Sequence, residues 1–246
     1  MSPLTDILLF HRGIETVLAA WGVYARGTPG AEVRRSPGLA AAIFPNEPER
    51  DVYNNAIVER DLPAPERAAA VAAMESAYEA RDVTRFAAWV HETDEPLRSD
   101  LERLGYTVEE TTRAMGMPLT EILMARPALE LVSADWKDFL RIFGLPTQLL
   151  AGADHSVFHL LFARLGDESV ATATAFDHDG DCGIYNVATL EHARRRGLGS
   201  ALAALQLHDA AARGCRTASV QSTEVAERVY AAVGFRDLGL ILEYVP

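Results

Sequence analysis

Three arginines, Arg194, Arg195 and Arg196, stand directly before Gly197, Leu198, Gly199 and Ser200 in the run RRRGLGS, within a chain whose formal net charge is -12. Glycines at 197 and 199 remove β-carbons and free the backbone to expose several N–H groups, while a helix starting there presents its positive dipole end. Neighbouring guanidinium groups add charge-assisted hydrogen bonds to phosphate-type oxygens. Such a turn binds anions, although the same run also suits a solvated helix start. With only two glycines and no acidic residue evident at the end of a following strand, it is not the dinucleotide G-x-G-x-x-G pattern. Without GK[ST] it is not a P-loop either.

The remaining chemistry-bearing clusters are weaker. Asp177, Asp179 and Asp181 alternate like calcium ligands, but Cys182 occupies the position that calcium loops give to glycine, and no bidentate glutamate follows at the required spacing. Asp179-Gly180 reads instead as a hairpin turn. His155 and His159 have an i, i+4 spacing without HExxH, in a segment that turns strand-like. No metal site is expected. Cys182 and Cys215 form no CxxC pair and read as reduced, partly buried thiols.

Composition narrows the class. Hydrophobic residues at 49% and charged residues at 24% match soluble globular proteins. The apolar run ILLF at 7 to 10 is short and flanked by Asp6, His11 and Arg12, which suits neither a signal peptide nor a membrane span. An intracellular, cytoplasmic protein without membrane attachment is expected. The acidic balance disfavours nonspecific nucleic-acid binding and is compatible with a cationic substrate.

These residues need elements to position them. Apolar spacing predicts a helix over residues 4 to 24, stopped by Gly27, Pro29 and Gly30. A strand follows in DVYNNAIV (51 to 58), then a helix in ERAAAVAAMESAYEAR, strand character in VTRFAAWVH (83 to 91), a helix in EPLRSDLERLGY ended by Gly105, and a strand or hairpin in TVEETTRAMGM. In the second half ESVATATAF and CGIYNVATL read as strands, Gly197 to about Arg213 as a helix, TASVQS as a strand, EVAERVYAAVGF as a helix closed by Gly234, and LGLILEYV as the final strand.

The two halves echo one another. VYNNAIV resembles IYNVATL at an offset of 185 - 53 = 132, and LERLGY resembles VYAAVGF at 234 - 105 = 129. This suggests a duplicated supersecondary unit, with a boundary near Arg126 to Ala128. Projected back by 132, the arginine turn falls on LPAPER (62 to 67), where two prolines replace the glycines and remove N–H donors.

Arg194-x-x-Gly197-x-Gly199, with the strand GIYNVATL before it, an amphipathic helix after it and VYAAVGF downstream, resembles the GNAT superfamily of acyltransferases. The match covers roughly residues 128 to 246, and the order of elements is similar to a two-repeat GNAT subgroup whose N-terminal half lacks the coenzyme turn. Glu191 departs from the proline that many members carry before the turn. The resemblance implies an α/β fold with a mixed sheet in two tandem GNAT-like domains: a degenerate one over 1–126 and an acyl-CoA-binding catalytic one over 127–246. It implies acetyl-CoA as cosubstrate and a small-molecule or peptide amine as acceptor, and it is compatible with a homodimer.

By the same resemblance, the backbone of Arg196, Gly197, Gly199 and Ser200 would bind pyrophosphate, with Arg194, Arg195 and Leu198 completing the turn. Val187, Ala188 and Thr189 would pair with pantetheine in strand fashion. Tyr230 matches the family tyrosine that protonates the departing thiolate, and a buried packing role is the alternative. Ser222 would contact coenzyme or acceptor, or else cap a helix. No base is assigned: Glu191 and Glu224 are equally well explained as exposed carboxylates. By the 129 offset, Tyr230 corresponds to Leu101, which has no proton to give. The first repeat is therefore expected to be a scaffold, with Trp89 and His91 either packing its core or lining an acceptor wall.

Overall fold

The computed structural model describes residues 5–46, 53–132, 135–146 and 150–246. In chain order the elements are α1 (Asp6–Arg26), β1 (Glu32–Ser36), β2 (Leu39–Ile43), β3 (Asn55–Val58), α2 (Ala64–Glu79), β4 (Ala87–His91), α3 (Glu95–Arg103) and β5 (Thr107–Pro118). There follow α4 (Trp136–Phe143), β6 (Phe158–Leu165), β7 (Glu168–His178), β8 (Asp181–Thr189), α5 (Leu198–Arg213), β9 (Thr217–Ser222), α6 (Glu227–Val233) and β10 (Arg236–Val245). Every element expected from the sequence is present. Leu4 of the expected first helix, and Asp51 and Val52 of the expected strand, lie outside the described residues.

Of the strand and hairpin alternatives for TVEETTRAMGM, the structure takes the strand, β5. Two details differ from the sequence reading. The last helix starts late because residues 223–226 form a turn, with the Ala226 N–H on the Thr223 carbonyl at 2.9 Å. The β1–β2 hairpin, α4 and β6 were not foreseen. The strand β2, LAAAI, is alanine-rich and carries little strand propensity of its own; all five of its residues are buried, so tertiary burial decides its state.

Contacts divide the chain into two compact units, one of Met1–Val17 with Arg113–Leu238 and one of Leu18–Thr112 with Gly239–Pro246. In the first unit the strands run in the order β5-β9-β8-β7-β6, antiparallel except for the parallel pair β8–β9. In the second the order is β10-β4-β3-β2-β1, again antiparallel except for the parallel pair β3–β4. The two sheets therefore share one topology, with α5 crossing between the parallel strands of the first and α2 between those of the second. The strand antiparallel to β9 is β5, from the first half of the chain, while the strand antiparallel to β4 is β10, from the second.

Each unit has its own core. In the first, Met115, Met117, Ile184, Ala203, Leu207, Val220, Val233 and Phe235 pack beneath α5 and α6. In the second, Ile43, Val58, Met74, Leu97, Leu101 and Tyr244 pack with Tyr78, whose ring stacks on Phe86 at 4.1 Å and whose hydroxyl donates to the Ala42 carbonyl.

Candidate active site

The first unit opens a fork in its sheet. Strands β8 and β9 pair from Asp181 opposite Thr217 to Ile184 opposite Val220 and no further. On β7, Thr174 faces Tyr185 and Thr172 faces Ala188, so Asn186 and Val187 share one partner residue, and Asn186 sits at φ +51°. This is a β-bulge, which bends and twists its strand. Beyond Ile184, β8 follows β7 while β9 follows β5, so the edge of β8 that carries Val187, Ala188 and Thr189 has lost its strand partner on the β9 side.

The arginine turn lies directly after this open edge. A short turn at Glu191–Ala193 leads into Arg195 at φ +61° and Gly197 at φ +75°. Left-handed residues on either side of Arg196 make the chain curl, a geometry suited to anions. The first bond of α5 runs from the Ala201 N–H to the Gly197 carbonyl at 3.0 Å, so the N–H groups of Leu198, Gly199 and Ser200 at the helix head have no helical acceptor. Gly197 is required by its φ alone, since an added β-carbon would meet nothing within 4 Å. At Gly199 an added β-carbon would come 3.7 Å from Val187 and 3.9 Å from Val229, ordinary contact distances. The arginine side chains are exposed, and Arg194 Nε donates to the Thr189 carbonyl at 3.0 Å, tying the turn to the end of β8. The expected cofactor-binding residues from Val187 to Ser200 thus follow the fork and the helix head, with the side chain of Leu198 buried in the core.

Across the fork, Ser222 ends β9. Its buried hydroxyl donates to the Thr223 carbonyl at 2.8 Å, so it does not cap α6, which begins five residues later. Tyr230, on α6, is buried at 5% exposure against Phe235, its ring edge-on at 5.7 Å. Its hydroxyl has no hydrogen-bond partner among the described residues, and burial pushes the phenol above its ordinary range. The group therefore holds its proton throughout physiological pH and is chemically a donor, not a base. Glu191 and Glu224 are exposed.

The opposite face of the same sheet carries a polar stripe that the sequence reading missed. Asp181, only 2% exposed, accepts hydrogen bonds from Thr16 Oγ1 at 2.8 Å, Thr217 Oγ1 at 2.7 Å and Ser219 Oγ at 2.7 Å. Arg12 donates to Thr217 Oγ1 at 3.2 Å. Gly183 pairs with Ser219, and a β-carbon at Gly183 would lie 2.3 Å from the Tyr185 hydroxyl, so the glycine leaves room for that phenol to fold back along β8. Above the stripe is a narrow cleft, partly open to solvent, lined by Phe10, Gly13 and Ile14 of α1, by Met115, and by Tyr185, Ser219 and Gln221. A signal was available: polar residues alternate in Asp181-x-Gly183-x-Tyr185 and Thr217-x-Ser219-x-Gln221, on strands that are otherwise apolar.

The weaker clusters separate into individual structural roles. Asp177 takes two hydrogen bonds from Arg213, at 2.6 and 2.8 Å, while Asp179 and Gly180 form the β7–β8 turn at φ +46° and +76°. His155 stacks on Trp136 at 4.2 Å, whereas His159 faces Asp177 at 3.4 Å. Among the described residues no group of three or more potential ligands could hold a metal ion, and no helix is long and apolar enough to cross a membrane. Both cysteines are free, and burial raises their thiols, that of Cys215 to about 11. In the second unit Trp89 is buried edge-on to Trp21 at 5.1 Å, and His91 is buried with its Nδ1 accepting the Thr93 N–H at 3.2 Å.

Comparison with known proteins bears on the fold. Residues 126–235 match the sequence profile of the Acetyltransferase (GNAT) family. A search of curated proteins returned no significant match. Among solved structures, a GCN5-related N-acetyltransferase from Kribbella flavida superimposes with a TM-score of 0.70 at 18% identity, covering 94% of each chain. A GCN5-related N-acetyltransferase from Sphaerobacter thermophilus gives 0.64 at 16% identity, over 94% of this chain and 84% of that one. A tandem GNAT protein from the clavulanic acid biosynthesis pathway gives 0.61 at 15% identity, over 98% of this chain and 96% of that one. Residues 126–235 are thus similar to the GNAT acetyltransferase family, within a chain that has the fold of tandem GNAT proteins.

Proposed function

We propose that the protein is an N-acyltransferase that moves an acetyl group from acetyl-CoA to a primary amine of a small molecule or peptide, by direct transfer in a ternary complex. The observation that carries the reading is the helix head after the fork: open N–H groups at Leu198, Gly199 and Ser200, a left-handed Gly197, and exposed Arg195 and Arg196. This donor set fits a pyrophosphate, whose charge it would meet with backbone dipoles and guanidinium groups together. The unpartnered edge of β8 at Val187 to Thr189 fits an extended amide chain, which can hydrogen-bond to a strand edge as another strand would.

Bound acetyl-CoA would supply an activated thioester. Beside it, Tyr230 keeps a proton available; as the amine nitrogen bonds to the acyl carbon and the C–S bond breaks, that proton can go to the leaving thiolate, and the proton the amine releases restores the phenol. Open N–H groups along the fork are suited to stabilising negative charge on the thioester oxygen. The duplication, with repeats over 1–126 and 127–246, is supported by the shared topology of the two units, and it assigns coenzyme chemistry to the second repeat alone.

Calorimetry with acetyl-CoA, on wild type and on the Gly197→Pro/Gly199→Val double variant, tests the cradle, with folding followed by circular dichroism. Binding that is lost in a folded variant supports it. No binding by the wild type overturns the reading. Coenzyme binding without amine-dependent thiol release would leave an acyl-CoA-binding module rather than an enzyme.

A further inference from the structure

The cleft beneath α1 is built for a particular kind of guest. Its walls are largely apolar, from Leu9, Phe10, Ile14, Val17, Met115 and Leu238, and its polar side chains, Tyr185, Ser219 and Gln221, come from the strands below. Of these, Ser219 is the most constrained. Its hydroxyl proton is committed to Asp181 Oδ2 at 2.7 Å, which leaves oxygen lone pairs for anything bound in the cleft. A hydroxyl held in this way accepts hydrogen bonds, so it favours a guest that donates N–H and disfavours one that presents a carboxylate or carbonyl.

The carboxylate behind Ser219 sets the sign of the site. Asp181 is buried and held by three hydroxyls, and Arg12 is the cation that reaches this cluster, through Thr217. A buried negative charge acts over a longer range than an exposed one, because little water screens it. The cleft also reaches the fork: Tyr185 and Gln221, which line it, are the first residues of β8 and β9 beyond the last paired positions.

Resting on the acyltransferase reading, we propose that this cleft is the acceptor site and that it selects a small primary amine on an apolar body, alkyl or arylalkyl. Ser219, polarised by Asp181, orients the nitrogen; both are positioning residues. An amino sugar would place hydroxyls against apolar walls, where they lose water without gaining partners. A peptide lysine would bring backbone amides to the same walls.

The test compares coenzyme-dependent thiol release with phenethylamine, glucosamine and a lysine-containing peptide. The expected result is a kcat/KM for phenethylamine at least tenfold above the other two. Ile14→Trp, which fills the cleft from α1, and Ser219→Ala should each raise KM for phenethylamine tenfold or more while leaving acetyl-CoA affinity unchanged. Asp181→Asn, which can retain hydrogen bonds to the hydroxyls, should act in the same direction. Preference for glucosamine or the peptide, or an unchanged KM in both Ile14→Trp and Ser219→Ala, overturns this inference and leaves the acyltransferase reading standing. Thiol release with none of the three amines, despite coenzyme binding, overturns both.

Discussion

The two units share a strand topology yet differ where chemistry would occur. At the offset of 132, Asn54 and Asn186 both take positive φ, +54° and +51°. At the offset of 129, Gly105 and Gly234 end their helices at φ +94° and +119°. The local backbone was thus kept in both units, while the side chains took separate courses. Asn54 is buried and clamps Phe44, accepting its N–H at 2.7 Å and donating to its carbonyl at 3.3 Å. Asn186 is half-exposed in the bulge of the fork.

The helix heads differ more. At the head of α5 the chain offers glycines and exposed arginines, whereas at the head of α2 it offers Pro63 and Pro65, which have no N–H to donate. The nearby cation Arg67 is consumed internally, by the Leu62 carbonyl at 2.9 Å and by Asp100 at 2.6 Å. Tyr230 is matched by Leu101, which is fully buried in the second unit's core. One topology can hold with or without an anion cradle, because packing depends on apolar shape, while anion binding depends on a few N–H groups that a proline removes.

The strongest way to break this comparison is coenzyme stoichiometry. Calorimetry should find one equivalent of acetyl-CoA per chain, with affinity reduced at least 100-fold by Gly197→Pro/Gly199→Val and unchanged by Pro65→Ala. A second equivalent would show that the first repeat also keeps a cradle. Next in size, Tyr230→Phe should lower kcat roughly 100-fold, within the range for loss of a positioned proton donor, with coenzyme affinity within about twofold of wild type. Its counterpart Leu101→Ala should instead cost about 2–5 kcal/mol in urea unfolding, as buried leucine truncations do.

The asparagine pair sharpens the contrast. Asn54→Ala strands a buried N–H and should cost about 1–3 kcal/mol, whereas Asn186→Ala loses only the tolerance of asparagine for left-handed backbone, about 1 kcal/mol. Comparing the two denaturation midpoints measures the difference. The smallest expected effect is on pH dependence. Burial alone would raise the Asp177 carboxyl, but hydrogen bonds from Arg213 and His159 hold it well below the ordinary carboxylate value. Its contribution to stability is therefore present at neutral pH and is lost as pH falls below about 4 and through the lowered native value. Asp177→Asn should flatten the acid side of the stability profile, as followed by thermal unfolding between pH 2 and 7.

Much of the fold could be read from local pattern. The helix over α1, the Asp179-Gly180 turn, the glycine-ended helices and the duplicated Tyr-Asn pair are each visible within a few residues. So is the glycine turn before α5, because Gly197 must adopt a conformation that other residues avoid. The hairpin β1–β2 was not legible, since alanines become a strand only when neighbours bury them. The short extent of α6 was equally hidden, because a turn at 223–226 competes with helix within the same polar residues.

The amino-acid sequence by itself determined most of the secondary elements, the echo between the halves and the exposed, glycine-freed character of RRRGLGS, since these depend on backbone freedom, side-chain size and charge within one segment. Only the tertiary structure decided that Asp181, read as part of a hairpin turn, lies buried under Thr16, Thr217 and Ser219. It also decided that β5 and β10 complete sheets whose other strands come from the opposite half of the chain. Both depend on pairing residues far apart in sequence, and the energy that selects such pairs, burial of apolar surface with every buried polar group partnered, is a property of the assembled core rather than of any one segment.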